Sequence, residues 1–120
     1  MEFNCYDLKF WQKAHQLTLD IYKTTINFPK YDLYGITSQL RRAAFSIAAN
    51  IVEGYSQKSK KEFIQFLYQA RGSLDETVYF LILSKDLNYI TDEEFNNLTK
   101  SASELTKMLN SFITKIKSQI

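Results

Sequence analysis

The chain contains one histidine and one cysteine, so a catalytic or metal site built on these residue types would have to use His15 or Cys5. His15 has Gln12 three positions before it, so the Glu-x-x-His pattern that holds metal ions in helical bundles is absent. Cys5 and His15 could act as nucleophile and base, but no third group that would orient the base is evident. The sequence also lacks a glycine-rich loop for phosphate. We therefore predict no catalytic residue, no metal site and no cofactor.

A line of polar side chains follows an otherwise apolar helix that is predicted between Gln39 and Gly54. A second polar line recurs at helical spacing in the next helix, and the two lines face each other if the chain folds back about Lys58. Arg42 would then meet Ser73 or Glu76. Such a network could fix the register of the two helices, or its residues could meet another subunit or a ligand. Its predicted members are Arg42, Asn50, Glu53, Glu62, Arg71 and Glu76.

Exposed cations are the candidates for contact with nucleic acid. Three lysines surround the predicted start of the third helix, where free backbone amides favour phosphate, although Glu62 competes for the same position. A solvated helix surface is the ordinary role of scattered lysines, so that interpretation stays open beside the nucleic-acid one. The predicted nucleic-acid contacts are Arg41, Arg42, Lys58, Lys60, Lys61, Lys107 and Lys115, and Lys100 and Lys117 of the fourth helix are further candidates.

Charge and composition limit the class of protein. Fifteen Lys and Arg against thirteen Asp and Glu give a formal net charge of +2, which is weak electrostatic evidence for a polyanionic partner. A length of 120 residues with 45% hydrophobic content predicts a single domain over residues 1–120 with a true core. Three glycines and one proline are too few for the turns of a sandwich or barrel. We therefore predict an all-α fold.

The sequence also indicates where the protein works. A single cysteine can form neither an intrachain disulfide nor a thiolate metal cluster, as is typical of a reducing compartment. The longest apolar run, Val78 to Leu83, is far below membrane-spanning length, and the amino terminus lacks a signal-peptide pattern. We therefore expect a cytoplasmic protein without a membrane partner.

Four helices are predicted, at about residues 8–28, 33–55, 60–88 and 92–118. Asp7 and Asp32 are plausible N-caps for the first two, Pro29 and Gly54 mark their ends, and two capping boxes begin the others. The capping boxes are Ser59-Lys-Lys-Glu62 and Thr91-Asp-Glu-Glu94. Short connections make neighbouring helices antiparallel, so the expected architecture is an up-down-up-down four-helix bundle.

Two features point to contacts beyond one chain. A mid-helix glycine costs about 1 kcal/mol relative to alanine, so Gly72 is expected to permit a close backbone approach or a contact with another chain. The chain also has more apolar residues than four helices would need if each buried one face, which favours association with another copy of the chain. The surplus positions are Leu19, Ile26, Phe45, Val52, Tyr79, Phe80, Ile82 and Leu83.

Several motifs, taken together, resemble the four-helix bundle proteins of the 23S rRNA intervening-sequence family. They include Gln39-Leu-Arg-Arg-Ala43, Asn50-Ile-Val-Glu-Gly54, Glu62-Phe-Ile-Gln-Phe-Leu67 and Ala70-Arg-Gly-Ser-Leu74. The resemblance implies an antiparallel bundle that associates into a ring of five. It implies a similarity to the accessory variability determinant of diversity-generating retroelements, which binds nucleic acid and a reverse transcriptase, and it implies no catalysis.

From these residues and this resemblance we expect a non-enzymatic, homo-oligomeric helical bundle, with a pentamer as the expected assembly. Its expected role is that of an RNA-associated or nucleic-acid-binding scaffold linked to rRNA intervening sequences. The alternative is a protein-interaction adaptor that binds no nucleic acid, so a protein partner remains open as well.

Overall fold

Four long helices build the protein, in a computed structural model that describes residues 4–120. They are α1 (Lys9–Thr25), α2 (Ser38–Tyr55), α3 (Lys60–Asp86) and α4 (Asp92–Lys117). Each helix packs on the next one along the chain and α4 packs back on α1, so α1 and α3 stand diagonally. The predicted all-α, up-down-up-down four-helix bundle is confirmed. No helix among residues 4–120 is both long enough and apolar enough to cross a membrane.

The core consists of apolar side chains that recur every three or four residues on each helix, which places them on one face. Burying one such side chain fully contributes about 1.5–3 kcal/mol relative to leaving it exposed. The most deeply buried large side chains are Leu17 and Ile21 of α1, Leu40, Ile47 and Ile51 of α2, Leu67, Leu74 and Leu81 of α3, and Leu105 and Leu109 of α4.

The start of the first helix differs from the prediction. Asp7 is not its N-cap, because it lies in a short 3-10 turn, Cys5–Asp7, whose own cap is the side chain of Asn4. Leu8 occupies the N-cap position of α1 and makes no side-chain capping bond.

The connection between α1 and α2 is longer than predicted. The first helix ends at Thr25 and not at residue 28, because the backbone N–H of Phe28 bonds to the carbonyl of Thr25, three residues back, in a turn that leads to Pro29. Asp32 does cap, since its carboxylate accepts from the N–H of Ile36 at 3.2 Å. It caps a wide π-helical turn, Leu33–Thr37, that precedes α2.

The α3–α4 connection is closed by a residue in the left-handed conformation. Asn88 has φ 62°, and the N–H of Tyr89 bonds to the carbonyl of Ser84 at 2.8 Å, as in a Schellman motif. The Tyr89 hydroxyl donates to Asp32 Oδ2 at 2.8 Å. The end of α3 and the α1–α2 connection are therefore tied together at one end of the bundle.

The two predicted capping boxes form to different extents. At α4, Thr91 Oγ1 accepts from the N–H of Glu94 at 3.0 Å and Glu94 accepts from the N–H of Thr91 at 2.8 Å. At α3, Ser59 Oγ accepts from the N–H of Glu62 at 3.1 Å, but the Glu62 carboxylate accepts from the Ser59 hydroxyl. At α4 each of the two side chains thus accepts from the backbone N–H of the other residue, whereas at α3 only one such bond forms.

Replacing the cap of α4 should weaken the fold measurably. Thr91→Ala removes the acceptor for the N–H of Glu94 and is expected to lower the free energy of unfolding by about 1 kcal/mol. Urea denaturation followed by circular dichroism measures the change. Thr91→Ser keeps the hydroxyl and should stay close to wild type; equal stability of the two variants would contradict the capping bond.

The two glycines of α2 and α3 have different surroundings. A Cβ on Gly54 would lie 2.6 Å from Phe66 Cβ and 2.9 Å from Phe63 Cδ1, so this buried glycine lets α2 and α3 approach closely. The sequence predicts Gly54 only as the end of a helix. A Cβ on Gly72 would meet no atom within 4 Å. The prediction that Gly72 permits a close backbone approach within one chain is therefore wrong. The alternative, that Gly72 contacts another chain, stays a prediction.

Candidate nucleic-acid interface

The α3–α4 surface carries a groove at the end of the bundle where α3 begins and α4 ends. Two adjoining depressions of about 560 and 390 Å³ share Tyr68 and Lys117 in their walls. We call these two depressions together the hairpin groove. It is lined by Lys61, Glu62, Ile64, Gln65, Tyr68, Arg71, Asn110, Ile113, Thr114, Lys117 and Ile120.

Cations from two helices converge on Tyr68 in this groove. The guanidinium carbon of Arg71 lies 4.9 Å from the centroid of the Tyr68 ring, and Lys117 Nζ lies 5.9 Å from it. Arg71 Nη1 also donates to Asn110 Oδ1 at 3.1 Å. Cation–π attraction and this hydrogen bond thus orient the Arg71 guanidinium between α3 and α4.

The cations of the hairpin groove form no ion pair within residues 4–120, and they outnumber its one carboxylate side chain. Residues 4–120 form a single ion pair, Lys13 with Glu104 at 3.0 Å, and it lies between α1 and α4. Glu62 is the groove's carboxylate, and it accepts from the Ser59 hydroxyl instead of pairing with Lys61. A concave surface with uncompensated cations raises the local concentration of anions.

The structure brings only part of the predicted nucleic-acid set together. Lys61 lines the hairpin groove, and Lys58, Lys60 and Lys115 are exposed at the same end of the bundle. Lys107 lies farther from the groove, toward the middle of α4 and near Glu104. A hydrogen bond from Lys13 lowers the pKa of the Glu104 carboxyl, and the charges of Lys13, Lys100 and Lys107 add to that effect.

The two predicted arginines of α2 lie away from this groove. Arg41 is in the first turns of α2, where its Nε donates to Thr25 Oγ1 at 2.7 Å and its guanidinium carbon lies 4.6 Å from the Tyr22 ring centroid. Arg42 is exposed. The bundle is 46 Å long, and α2 begins at the end opposite to the hairpin groove. Contact of Arg41 or Arg42 with nucleic acid stays a prediction, at a separate surface.

The predicted polar network does not form between α2 and α3 of one chain. Within residues 4–120 Arg42 and Glu76 form no salt bridge, and the Asn50 side chain donates to the Ser46 carbonyl of its own helix at 2.8 Å. Arg71 instead reaches across to α4. An ion pair between two exposed side chains contributes little, so nothing compels Arg42 and Glu76 to meet. Contacts of Arg42, Asn50, Glu53, Glu62 and Glu76 with another subunit stay predictions.

The histidine and cysteine are not arranged as a base and nucleophile. Burial raises the pKa of the Cys5 thiol, which opposes formation of the reactive thiolate. The His15 ring stacks on Trp11, with ring centroids 5.1 Å apart. Among residues 4–120 no three His, Cys, Asp or Glu side chains are grouped closely enough to hold a metal ion.

Tyr68 and Asn110 are site residues that the sequence patterns did not predict, whereas Lys117 is among the cations that the sequence offers as candidates. One signal in the sequence could have indicated the first of them: Tyr68 and Arg71 lie three residues apart and share a helix face. The last turn of α4 lies beside the first turns of the antiparallel α3, which brings Lys117 to the same place. The register of α3 on α4, however, cannot be read from spacing within either helix.

The chain is similar to known proteins over most of its length. A family model described as 23S rRNA-intervening sequence protein matches residues 6–111. A crystal structure from Bacteroides thetaiotaomicron, of a protein with unknown function from the S23 ribosomal protein family, is 30% identical in sequence. The match covers 87% of this chain and 97% of that chain, with a TM-score of 0.78. No curated protein matches the chain.

Proposed function

Because the chain belongs to the 23S rRNA-intervening sequence protein family, we propose that it is a non-enzymatic, homo-oligomeric scaffold that binds RNA. The convergence of Lys61, Arg71 and Lys117 around Tyr68, with no carboxylate paired to them in the described chain, carries this proposal. On this proposal the protein works in the cytoplasm and is linked to rRNA intervening sequences.

The hairpin groove has the two kinds of group that single-stranded RNA requires. Lysine and arginine neutralise phosphates, and a tyrosine ring or a guanidinium plane provides a surface on which an unpaired base stacks. The Ile64 and Ile120 side chains add an apolar wall. We therefore propose that an unpaired RNA segment lies along the groove, with its phosphates toward Lys61 and Lys117 and a base near Tyr68.

Exposed apolar side chains support the homo-oligomeric part of the proposal. Five of the eight surplus apolar residues are exposed by at least 43%: Leu19, Ile26, Phe45, Tyr79 and Ile82. Such side chains favour association with further copies, and the resemblance to the family suggests a ring of five. A ring would repeat the small charge of each chain around one assembly, which strengthens the field that RNA meets.

The salt dependence of RNA binding tests the proposal. With three cations on phosphates of a single strand, the logarithm of the association constant should fall with the logarithm of salt concentration with a slope of about −2 per groove. Fluorescence anisotropy of a labelled single-stranded RNA measures this slope. Absence of binding even at low salt would contradict the proposal.

The alternative is a protein-interaction adaptor, which the exposed apolar side chains also favour. The two functions respond differently to charge. Reversing Lys58, Lys60 and Lys61 should leave capture of a protein partner through an apolar surface unchanged, whereas it should weaken RNA binding. RNA binding that survives the reversal would contradict binding in the hairpin groove, whereas a wild type that captures a protein partner but binds no RNA would favour the adaptor.

A further inference from the structure

A second surface, at the end of the bundle opposite to the hairpin groove, combines one arginine with exposed apolar side chains. We call it the Arg41 face and define it by Leu19, Tyr22, Ile26, Tyr34, Arg41 and Phe45. Its five apolar or aromatic members are between 39% and 91% exposed. A cluster of this kind on a soluble domain usually marks a contact with another protein.

Arg41 has hydrogen-bonding capacity that the chain does not use. Its Nε–H bonds to Thr25, but its other N–H groups have neither a hydrogen-bond acceptor nor a carboxylate among residues 4–120. The Thr37 hydroxyl is buried without a partner, and Thr37 lines both grooves, of about 310 and 340 Å³, that Arg41 also lines. A guanidinium held in place by Tyr22 and Thr25 in apolar surroundings suits a carboxylate ligand.

The second half of α3 carries the complementary chemistry. We call it the α3 acidic face and define it by Asp75, Glu76, Tyr79, Ile82 and Asp86. Asp75, Tyr79, Ile82 and Asp86 follow helical spacing on one side, and all five residues are exposed. None of the three carboxylates forms a salt bridge within residues 4–120. The face therefore offers an apolar centre with negative charge around it.

We propose that the Arg41 face of one copy of this chain docks on the α3 acidic face of a second copy. A carboxylate of Asp75 or Glu76 then bonds the free N–H groups of Arg41, while Tyr79 and Ile82 cover the apolar side chains beside it. The proposal rests on the homo-oligomeric part of the proposed function and specifies which surfaces of two copies meet. Because the two faces differ, the contact is heterologous, and every copy offers one face of each kind.

The two faces lie at one level of the bundle but on different sides of it. Tyr89 links the end of α3 to Asp32 in the α1–α2 connection, so the Arg41 face and the α3 acidic face belong to the same end of the bundle. They lie on different sides, since α1 and α3 stand diagonally. Copies joined through them therefore stay at one level along the bundle axis, and they close into a ring if the rotation from one copy to the next divides a full turn.

Two variants that each damage one face test the contact by light scattering of the full chain. Wild type should have a multiple of the 14.1 kDa chain mass, whereas Arg41→Glu and Tyr79→Glu should each give the mass of one chain. Mixed in equal amounts, the two variants should form a particle of two chains and nothing larger. In that mixture the intact Arg41 face of the Tyr79→Glu variant docks on the intact α3 acidic face of the Arg41→Glu variant. The two altered faces both carry carboxylates and repel each other.

Three further variants keep the test decisive. Phe45→Glu alters the Arg41 face without removing the bond to Thr25, and it replaces Arg41→Glu if circular dichroism shows that variant unfolded. Lys100→Glu, exposed on α4, is the control and should leave the wild-type mass unchanged. A chain that combines Arg41→Glu with Asp75→Lys and Glu76→Lys should regain the wild-type mass, because the charges are exchanged.

The outcomes separate the contact from the wider function. A wild-type particle of one chain would overturn the homo-oligomeric part of the proposed function and this contact with it. A wild-type oligomer that persists in folded Phe45→Glu and Tyr79→Glu would overturn this contact alone. Failure of the charge-exchanged chain to regain the wild-type mass would overturn the pairing of Arg41 with Asp75 or Glu76.

Discussion

Replacing Lys61 and Lys117 together by glutamate is expected to weaken binding of single-stranded RNA by about 100-fold at low salt, or about 10-fold for each phosphate that is no longer neutralised. The two lysines belong to different helices but line one groove beside Tyr68. Because two lysines no longer bind phosphate, the salt dependence of the association constant should also become shallower, by about 0.7 for each of them. Fluorescence anisotropy over a series of salt concentrations measures both effects.

A control with the same change of net charge separates the groove from the overall field of the protein. Lys9→Glu with Lys23→Glu makes the same exchange at two exposed positions of α1, a helix that contributes no residue to the lining of the hairpin groove. This control should weaken binding far less than the groove variant and should leave the salt slope nearly unchanged. Equal weakening in the two double variants would show that RNA responds to net charge and not to the hairpin groove.

Gly54→Ala is expected to lower the free energy of unfolding by about 1–3 kcal/mol, the usual cost of overpacking a core. The new Cβ would meet Phe66 Cβ at 2.6 Å, and this atom cannot turn away because it is bonded to the backbone of α3. The methyl group therefore forces α2 and α3 apart. Chemical denaturation of the variant and of wild type, at equal protein concentration, measures the difference.

Gly72→Ala is the matched control, since it adds the same methyl group to the exposed middle of α3. Apart from its chain neighbours and the backbone of its own helix turns, no atom of the chain lies within 4 Å of the added Cβ, so the higher helix propensity of alanine should stabilise the variant by about 1 kcal/mol. If Gly54→Ala were as stable as Gly72→Ala, the close approach of α2 and α3 at Gly54 would be contradicted.

The helices could be predicted from the sequence because their signals are local. The apolar side chains of α4 from Leu98 to Leu109 recur every three or four residues, and the capping box begins at Thr91. Both signals depend only on residues a few positions apart. The surplus of apolar residues was predictable for the same reason, since a helix that is apolar on several faces cannot bury all of them in one small bundle.

Contacts between helices could not be predicted in the same way. Whether Gly54 or Gly72 permits a close approach depends on which helix face meets a neighbour, and the structure shows that only Gly54 meets one within the chain. The pairing of Arg42 with Glu76 assumed that facing polar residues bond, but exposed side chains gain little by doing so. The convergence of Arg71 and Lys117 on Tyr68 depends on the register of α4, which short-range patterns do not specify.

Ultraviolet crosslinking tests most directly whether RNA lies in the hairpin groove. The native protein is irradiated with a short, uridine-rich, single-stranded RNA, and the crosslinked peptides are identified by mass spectrometry. The proposed function predicts nucleotide adducts on residues 60–71 and on the last turns of α4, with Tyr68 among the modified side chains. Adducts confined to α1 and the start of α2, or none at all from an RNA that binds, would contradict it.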